Sequence, residues 1–243
     1  MNIIKLSAID STNDYLKNLS NTQNLDNFTI VVADFQTKGK GQRGNSWCVE
    51  QGKNLTFSVL IKDLSPASIS VFDLNIVISI SVFRVLNRLE IPKLNIKWPN
   101  DILSEGKKIA GILIENLITS HDSFSSVVGI GLNVNQTDFQ TLPKASSLKK
   151  IMGYDFDKDE IMLAIANEIR ATFDLISTVQ LDTLWQDYHD CLFRKDVPSV
   201  FEYPSGVKFM GMIKQVNKNG QLRILLEDDS EKDFDIKEVA LVY

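Results

Sequence analysis

The sequence predicts a mixed α/β (α+β) fold, a β-sheet covered by helices and followed by a small closed β-barrel. Three observations point to it: β-branched runs separated by one or two amphipathic helices, a hairpin signal among those runs, and a change to short strands and tight turns from about Asp196. A chain of 243 residues suits one large unit and one small one, and the pattern divides them at 1–194 and 195–243.

The elements follow in order. Asp10, Ser11, Thr12 and Asn13 place short side-chain acceptors ahead of Asp14–Leu19, where a helix needs its first amides capped. Phe28–Phe35 and Leu55–Lys62 are β-branched and apolar enough to be buried strands. The longest apolar stretch, Ile69–Leu89, is interrupted by Asp73, Asn75, Arg84 and Arg88, which predicts a buried helix over Val71–Leu89 instead of a membrane span. Leu94–Trp98 reads as a strand, Ile102–Ser104 and Lys108–Leu117 as hairpin arms turning at Glu105-Gly106, and Ser126–Val134 as a further strand. Asp157–Ile176 and Asp182–Phe193 carry apolar residues at helical spacing. Ser199–Tyr203, Val207–Val216, Leu222–Glu227 and Asp233–Ile236 are the barrel strands, with turns at Pro204-Ser205-Gly206 and Lys218-Asn219-Gly220.

Composition narrows the function. A net charge of −5 argues against a protein that coats DNA or an anionic membrane. Cys48 and Cys191 lie far apart without metal or redox spacing and read as reduced thiols. His121 and His189 are equally isolated, so no fixed metal cluster is expected. The opening MNIIKLSAID has neither a basic leader nor a long apolar run, which predicts a cytoplasmic protein.

Three clusters carry chemistry. In Gln36–Trp47, Gly39, Gly41 and Gly44 let backbone amides approach one anion while Lys38, Lys40 and Arg43 add positive charge, although the spacing is neither a P-loop nor a dinucleotide fingerprint. A solvated surface turn has the same composition, and Trp47 at its end suits a core anchor equally well. Lys97-Trp98-Pro99-Asn100-Asp101 sets a cation, an aromatic ring, an amide and a carboxylate at a strand end; a plain Pro-Asn-Asp turn would also explain Asn100 and Asp101. In Lys107–Glu115, a lysine beside a small-residue strand could end an apolar slot, and simple alternation would place Ala110 and Ile112 on the face of Lys108; solvated turn lysines are the competing reading.

In this order, Ser11-Thr12-Asn13, the GKGQRG loop closed by Trp47, KWPND, KKIAGILIE and GIGLNVN at Gly129–Asn135 resemble the catalytic core of biotin protein ligases over residues 7 to 135, and the barrel-like tail adds a further match. The resemblance implies a catalytic domain of the class II aminoacyl-tRNA-synthetase-like fold with an SH3-like barrel. It implies two steps: biotin and ATP, the latter with Mg2+, give biotinyl-5′-AMP, and a lysine of a biotin carboxyl carrier domain of a biotin-dependent carboxylase takes the biotin. It assigns Ser11, Thr12, Asn13, Gln36, Gly39, Gly41, Lys108 and Gly111 to biotin; Lys40, Arg43, Trp47, Asn100, Lys108 and Asn133 to ATP; and Lys108, Arg43, Lys40 and Asp101 to catalysis.

The loop departs from the family at Lys40, where arginine is usual, and at Gln42, where many relatives carry arginine. Lys40 keeps the charge but loses the bidentate fork. Because the ligase pattern starts within ten residues of Met1, no DNA-binding domain and no DNA partner are expected; no membrane partner is expected, and a homodimer is left open. The alternatives are a lipoate or octanoate ligase or transferase of related fold, and a sensor that binds the adenylate without transferring it.

Overall fold

The computed structural model describes residues 1–243 except 48, 67, 119–122, 140, 141 and 177–180, and omits the side chains of residues 43 and 118. Cys48 and His121, read above as isolated residues, lie outside the described set, as does the side chain of Arg43.

The large sheet has seven strands: β1 (Ile3–Leu6), β2 (Ile30–Ala33), β3 (Leu55–Leu64), β4 (Leu94–Lys97), β5 (Asp101–Ser104), β6 (Lys107–Ile118) and β7 (Phe124–Leu132). Their order is β1-β2-β3-β7-β6-β5-β4, parallel between β1 and β2 and antiparallel elsewhere. The helices are α1 (Thr12–Thr22), α2 (Val71–Arg88), α3 (Leu148–Met152), α4 (Lys158–Ile176) and α5 (Leu181–Asp190).

Strand alternation sorts the two faces of this sheet. Phe57, Val59 and Ile61 of β3 and Val128, Ile130 and Leu132 of β7 enter the main core with Leu74, Val77, Ile78 and Val85 of α2 and Ile165 and Ile169 of α4. On the other face Leu60 and Val127 meet Leu16 of α1 and Val31 in a smaller cluster. Towards one end of that face stand Thr56, Ser58, Gly129 and Gly131, small or polar, and a cavity opens over this stretch of the sheet.

Local signals explain the helix starts. Ser11 caps α1 by accepting from the Asp14 amide, and Ser70 and Asp73 form a reciprocal capping box on α2. Asp157 Oδ1 accepts from the amides of Asp159 and Glu160 at the start of α4. The hairpin turns at Glu105 and Gly106, whose φ values of 52° and 74° suit a primed turn.

The expected strand at Phe28–Phe35 is shorter than its apolar run, because Phe28 takes φ 59° and turns the chain before β2 begins. Three elements carry too little periodic signal to be read in advance: β1, α3 and a final short strand at Ala240–Val242.

A second sheet contains β8 (Pro198–Glu202), β9 (Lys208–Val216), β10 (Leu222–Leu226), β11 (Glu231–Phe234) and β12 (Ala240–Val242), antiparallel throughout in the order β11-β10-β9-β8-β12. The expected closed barrel is not found. Strands β11 and β12, four and three residues long, stand at opposite edges of the ladder, and among the described residues they do not pair with each other. A five-stranded antiparallel sheet of SH3-like character remains.

This second sheet packs into the main core through Phe201, Ile213, Val216 and Leu222. Polar ties reinforce the junction: Trp98 Nε1 donates to the Gly220 carbonyl at 2.9 Å, and the Val216 amide donates to His189 Nε2 at 3.1 Å. No described helix is long and apolar enough to cross a membrane.

Candidate active site

A cavity of about 580 Å³ opens over the polar face of the large sheet and extends to the second sheet. Its floor comes from three glycines. Gly111 of β6 and Gly131 of β7 are cross-strand partners, and the indole of Trp47 lies on them; a Cβ at Gly131 would stand 2.4 Å from Trp47 Cε2. A Cβ at Gly129 would meet Asn13 Oδ1 at 2.4 Å, so that glycine makes room for the asparagine. The repeated glycines therefore serve close approach of side chains to the sheet.

At one end, Gln36 Oε1 accepts from the Thr12 amide at 2.7 Å and lies 3.0 Å from Thr12 Oγ1. Ser58 Oγ stands 2.8 Å from Thr12 Oγ1 and 2.6 Å from Asn13 Oδ1. A hydroxyl has one proton and serves one acceptor at a time, so this corner is rich in acceptor lone pairs. Asn13 Nδ2 donates to Glu115 Oε2 at 2.9 Å, and Lys17 binds the other carboxylate oxygen at 2.6 Å. Thr12, Asn13 and Gln36 thus come together as the sequence predicts. Ser11 also reaches the cavity wall, but its hydroxyl is engaged in capping α1.

At the other end Lys108 Nζ lies 2.6 Å from Asp101 Oδ1, an ion pair without the alignment of a hydrogen bond, and 5.4 Å from the centre of a Trp47 ring. The expected shared face of Lys108, Ala110 and Ile112 is corrected by a β-bulge. Leu103 pairs with Lys108 while Ile102 pairs with Ala110, and the unpaired Ile109 and its neighbour Ala110 both enter the core. The parity then reverses, and Gly111 joins Lys108 on the cavity face, 3.3 Å from its Nζ when a Cβ is placed there. The backbone of Lys108 is fixed from outside the sheet: its amide donates to the Lys144 carbonyl at 2.8 Å, and its carbonyl accepts from Ser146 at 3.0 Å.

Other expected residues play different parts. Asn100 is clamped to β6, its side-chain amide donating to the Ile112 carbonyl at 2.6 Å while its own carbonyl accepts from the Ile112 amide. Asn133, expected at adenine, is buried behind the cavity wall and donates to the Ser146 carbonyl at 3.0 Å. Gly39 also stands behind the wall, packed so closely that a Cβ would fall 2.3 Å from the Trp47 carbonyl oxygen. Gly41 and Lys40 line the cavity, yet the Lys40 ammonium is paired with Asp14 at 2.6 Å. Arg43 contributes the backbone of a 3-10 turn at Gln42–Gly44. Sequence reasoning missed Ser58, for which a serine in an apolar strand gave no signal, and the role of Glu115, although the charge of that residue inside β6 was a visible anomaly.

An acceptor-rich polar corner, an aromatic lid and a lysine–aspartate pair along one sheet face define a small-molecule-binding enzyme domain. Residues 6–133, more than half of the chain, match the model of the biotin/lipoate A/B protein ligase family, and the chain belongs to that family. The biotin protein ligase of Aquifex aeolicus, solved in complex with biotin and ATP, is similar at 29% identity and a TM-score of 0.80, over 99% of this chain and 98% of that one. The bifunctional ligase/repressor BirA of Escherichia coli is 28% identical over 229 residues, 92% of this chain and 68% of the relative. The BirA of Bacillus spizizenii is 30% identical over 194 residues, which span 76% of this chain and 59% of that relative's length.

Proposed function

We infer that this protein is a biotin protein ligase: it activates biotin with ATP and transfers it to a protein lysine. One observation carries the reading. The acceptor-rich corner and the Lys108–Asp101 pair occupy the two ends of one glycine-floored cavity, the arrangement needed to hold a polar ring at one end and an activated carboxylate at the other. The lipoate-type alternative is not favoured, since the named ligases among the relatives are biotin ligases.

The biotin carboxylate oxygen attacks the α-phosphorus of ATP, the bond from that phosphorus to the α,β-bridging oxygen breaks, and pyrophosphate leaves with the electron pair. The amine of the acceptor lysine then attacks the acyl carbon, AMP departs, and the ammonium proton is lost to solvent or base. Magnesium enters as part of the ATP substrate and offsets phosphate charge.

In this scheme Thr12, Asn13, Gln36 and the hydroxyl of Ser58 meet the ureido group, whose N–H donors match the acceptor lone pairs there. Lys108 offsets repulsion between the carboxylate and the α-phosphate and stabilises charge that develops in the transition state. Asp101 holds Lys108 before substrate arrives and receives the acceptor amine in the second step. Trp47 covers the adenylate. Arg43 and Lys40 steady the phosphates, Lys40 by exchanging Asp14 for the ligand, an exchange favoured because an exposed ion pair is weak in water. Gly39 and Asn133 act from behind the wall, one by letting the loop close and one by fixing the segment that grips Lys108. Residues 1–194 are the catalytic unit, and residues 195–243 close one side of the cavity. The acceptor is a biotin carboxyl carrier domain of a carboxylase.

The test is intact-mass measurement of a carrier domain incubated with the protein, ATP, magnesium and either biotin or octanoate. A biotin-sized gain with biotin alone is expected. A gain with octanoate alone would move the assignment to the lipoate branch of the family.

A further inference from the structure

Strand β6 carries a single carboxylate, Glu115, on the face that α1 covers. Its cross-strand partner is Val127, which packs with Leu16 of α1 in the smaller core, so a charge here needs partners of its own. Both partners come from α1. Lys17 Nζ lies 2.6 Å from Oε1, and Asn13 Nδ2 donates to Oε2 at 2.9 Å. Lys17 and Glu115 stand outside the cavity wall, about a quarter exposed, whereas Asn13, Thr12 and Gln36 line it. An ion pair that wet adds little stability by itself, and the second carboxylate oxygen is the one that reaches the site.

A carboxamide has a donor edge and an acceptor edge, and its neighbours decide which faces which way. Asn13 Nδ2 faces the Glu115 carboxylate and, at 3.4 Å, the Leu113 carbonyl, both of which only accept. A flipped amide would set its oxygen against both, so Oδ1 is turned to the other side, 2.6 Å from Ser58 Oγ. Oδ1 has no proton to give, and Ser58 therefore donates to it. Thr12 Oγ1 is left to donate to Ser58 Oγ at 2.8 Å or to Gln36 Oε1 at 3.0 Å. Each hydroxyl proton of the corner thus has an internal acceptor, and the remaining lone pairs are free for the N–H donors of a ligand.

We propose that Glu115 is a positioning residue that sets the hydrogen-bond polarity of this corner: by holding Asn13 Nδ2 it keeps Asn13 Oδ1 as an acceptor for a ureido N–H. The proposal rests on the ligase reading for the ureido ligand and on the contacts of Asn13 for the residue. Lys17 occupies the outer carboxylate oxygen and leaves the inner one to Asn13. One strand then serves both ends of the cavity, Lys108 at the reacting end and Glu115 behind the recognition end.

Glu115→Gln tests this with little change of shape. The introduced amide has one oxygen for two partners, and the Lys17 cation takes it. An NH2 group then faces Asn13, whose own amide turns over and presents a donor to the ureido donors. Calorimetric binding of biotin is measured together with its two cyclic carbamate analogues, in each of which one ureido N–H is replaced by oxygen. Thermal melting confirms folding, and biotin-dependent ATP–pyrophosphate exchange follows. Glu115→Gln should bind biotin about tenfold or more weakly, with KM for biotin rising and KM for ATP unchanged. Its preference for biotin over one of the two carbamates should largely vanish. Adding Lys17→Met frees the introduced oxygen to turn toward Asn13 and should restore most of the affinity and the selectivity. Wild-type affinity in Glu115→Gln, an equal loss for biotin and both carbamates, or no recovery in the folded double variant would overturn the proposal. Biotin binding with the expected selectivity in the wild type but no biotin-dependent exchange would overturn the ligase reading and leave the role of Glu115 standing, and a wild type that does not bind biotin would overturn both.

Discussion

In the proposed reaction Lys108 faces two anions and has to be held in place before they arrive, and its surroundings meet that demand. Its backbone is tied to Lys144 and Ser146, while its ammonium has one carboxylate at 2.6 Å and an aromatic face beyond it. Truncation therefore removes charge at the reacting centre and little packing. Lys108→Ala is expected to slow biotin-dependent pyrophosphate release about 100- to 1,000-fold with a nearly unchanged melting temperature. Release at the wild-type rate would take the catalytic role away from Lys108. Gly131 offers a second test at this scale. Its backbone is ordinary strand, so alanine is tolerated by β7, but the added methyl would fall 2.4 Å from the indole of Trp47. Gly131→Ala should lift Trp47, shift its fluorescence, and weaken combined binding of biotin and ATP by about tenfold while the protein stays folded. Unaltered fluorescence and affinity would mean that the indole does not rest on this strand in solution.

Helix α2 links the sequence to the fold at the scale of elements. Asp73 accepts from the Ser70 amide through one oxygen and from Trp185 Nε1 of α5 through the other at 2.7 Å. One carboxylate thus caps one helix and anchors another. Asp73→Ala is expected to cost about 2–4 kcal/mol in denaturant unfolding, against about 1 kcal/mol for Ser70→Ala, because it also leaves the Trp185 N–H without a partner. Equal losses would show that the anchor adds nothing to the cap. Asp73 was legible in the sequence as a break in an apolar run, but its second partner was not, since Trp185 is more than a hundred positions away. The same limit explains the site. Gln36, Thr12, Lys108 and Asp101 stood out because their motifs are local, whereas Ser58 meets Thr12 and Asn13 only through sheet pairing. The bulge at Ile109 was hidden for another reason: periodicity in Lys107–Glu115 fits either parity, and the choice is made by pairing with β5. Strands β1 and β12 are short edges whose local signal falls below that of any surface segment.

At the scale of the whole molecule, the second sheet closes the cavity only while its junction with α5 holds. His189 is half-buried there, with Nε2 3.1 Å from the Val216 amide and 3.0 Å from the Val216 carbonyl. Burial is the larger influence and pushes its pKa below the ordinary value of 6.5, against the hydrogen bond to Val216; Lys195 and Lys218 lower it further and Asp190 raises it. The folded state therefore prefers a neutral imidazole, whereas the unfolded chain takes up a proton as pH falls through 6.5. The unfolded state binds more protons in that window, so the contribution of His189 is complete above 6.5 and declines as pH drops toward the folded value. His189→Gln keeps a polar group but removes the titration. Its melting temperature should lie below that of the wild type at about pH 7.5, and the gap should narrow by about pH 5.5, since carboxylates that titrate in both proteins cancel in the comparison. A gap that stays constant with pH would mean that His189 is protonated as readily in the folded protein as in the unfolded chain, and that the junction owes its strength to the apolar contacts of Val216 and Ile213 instead.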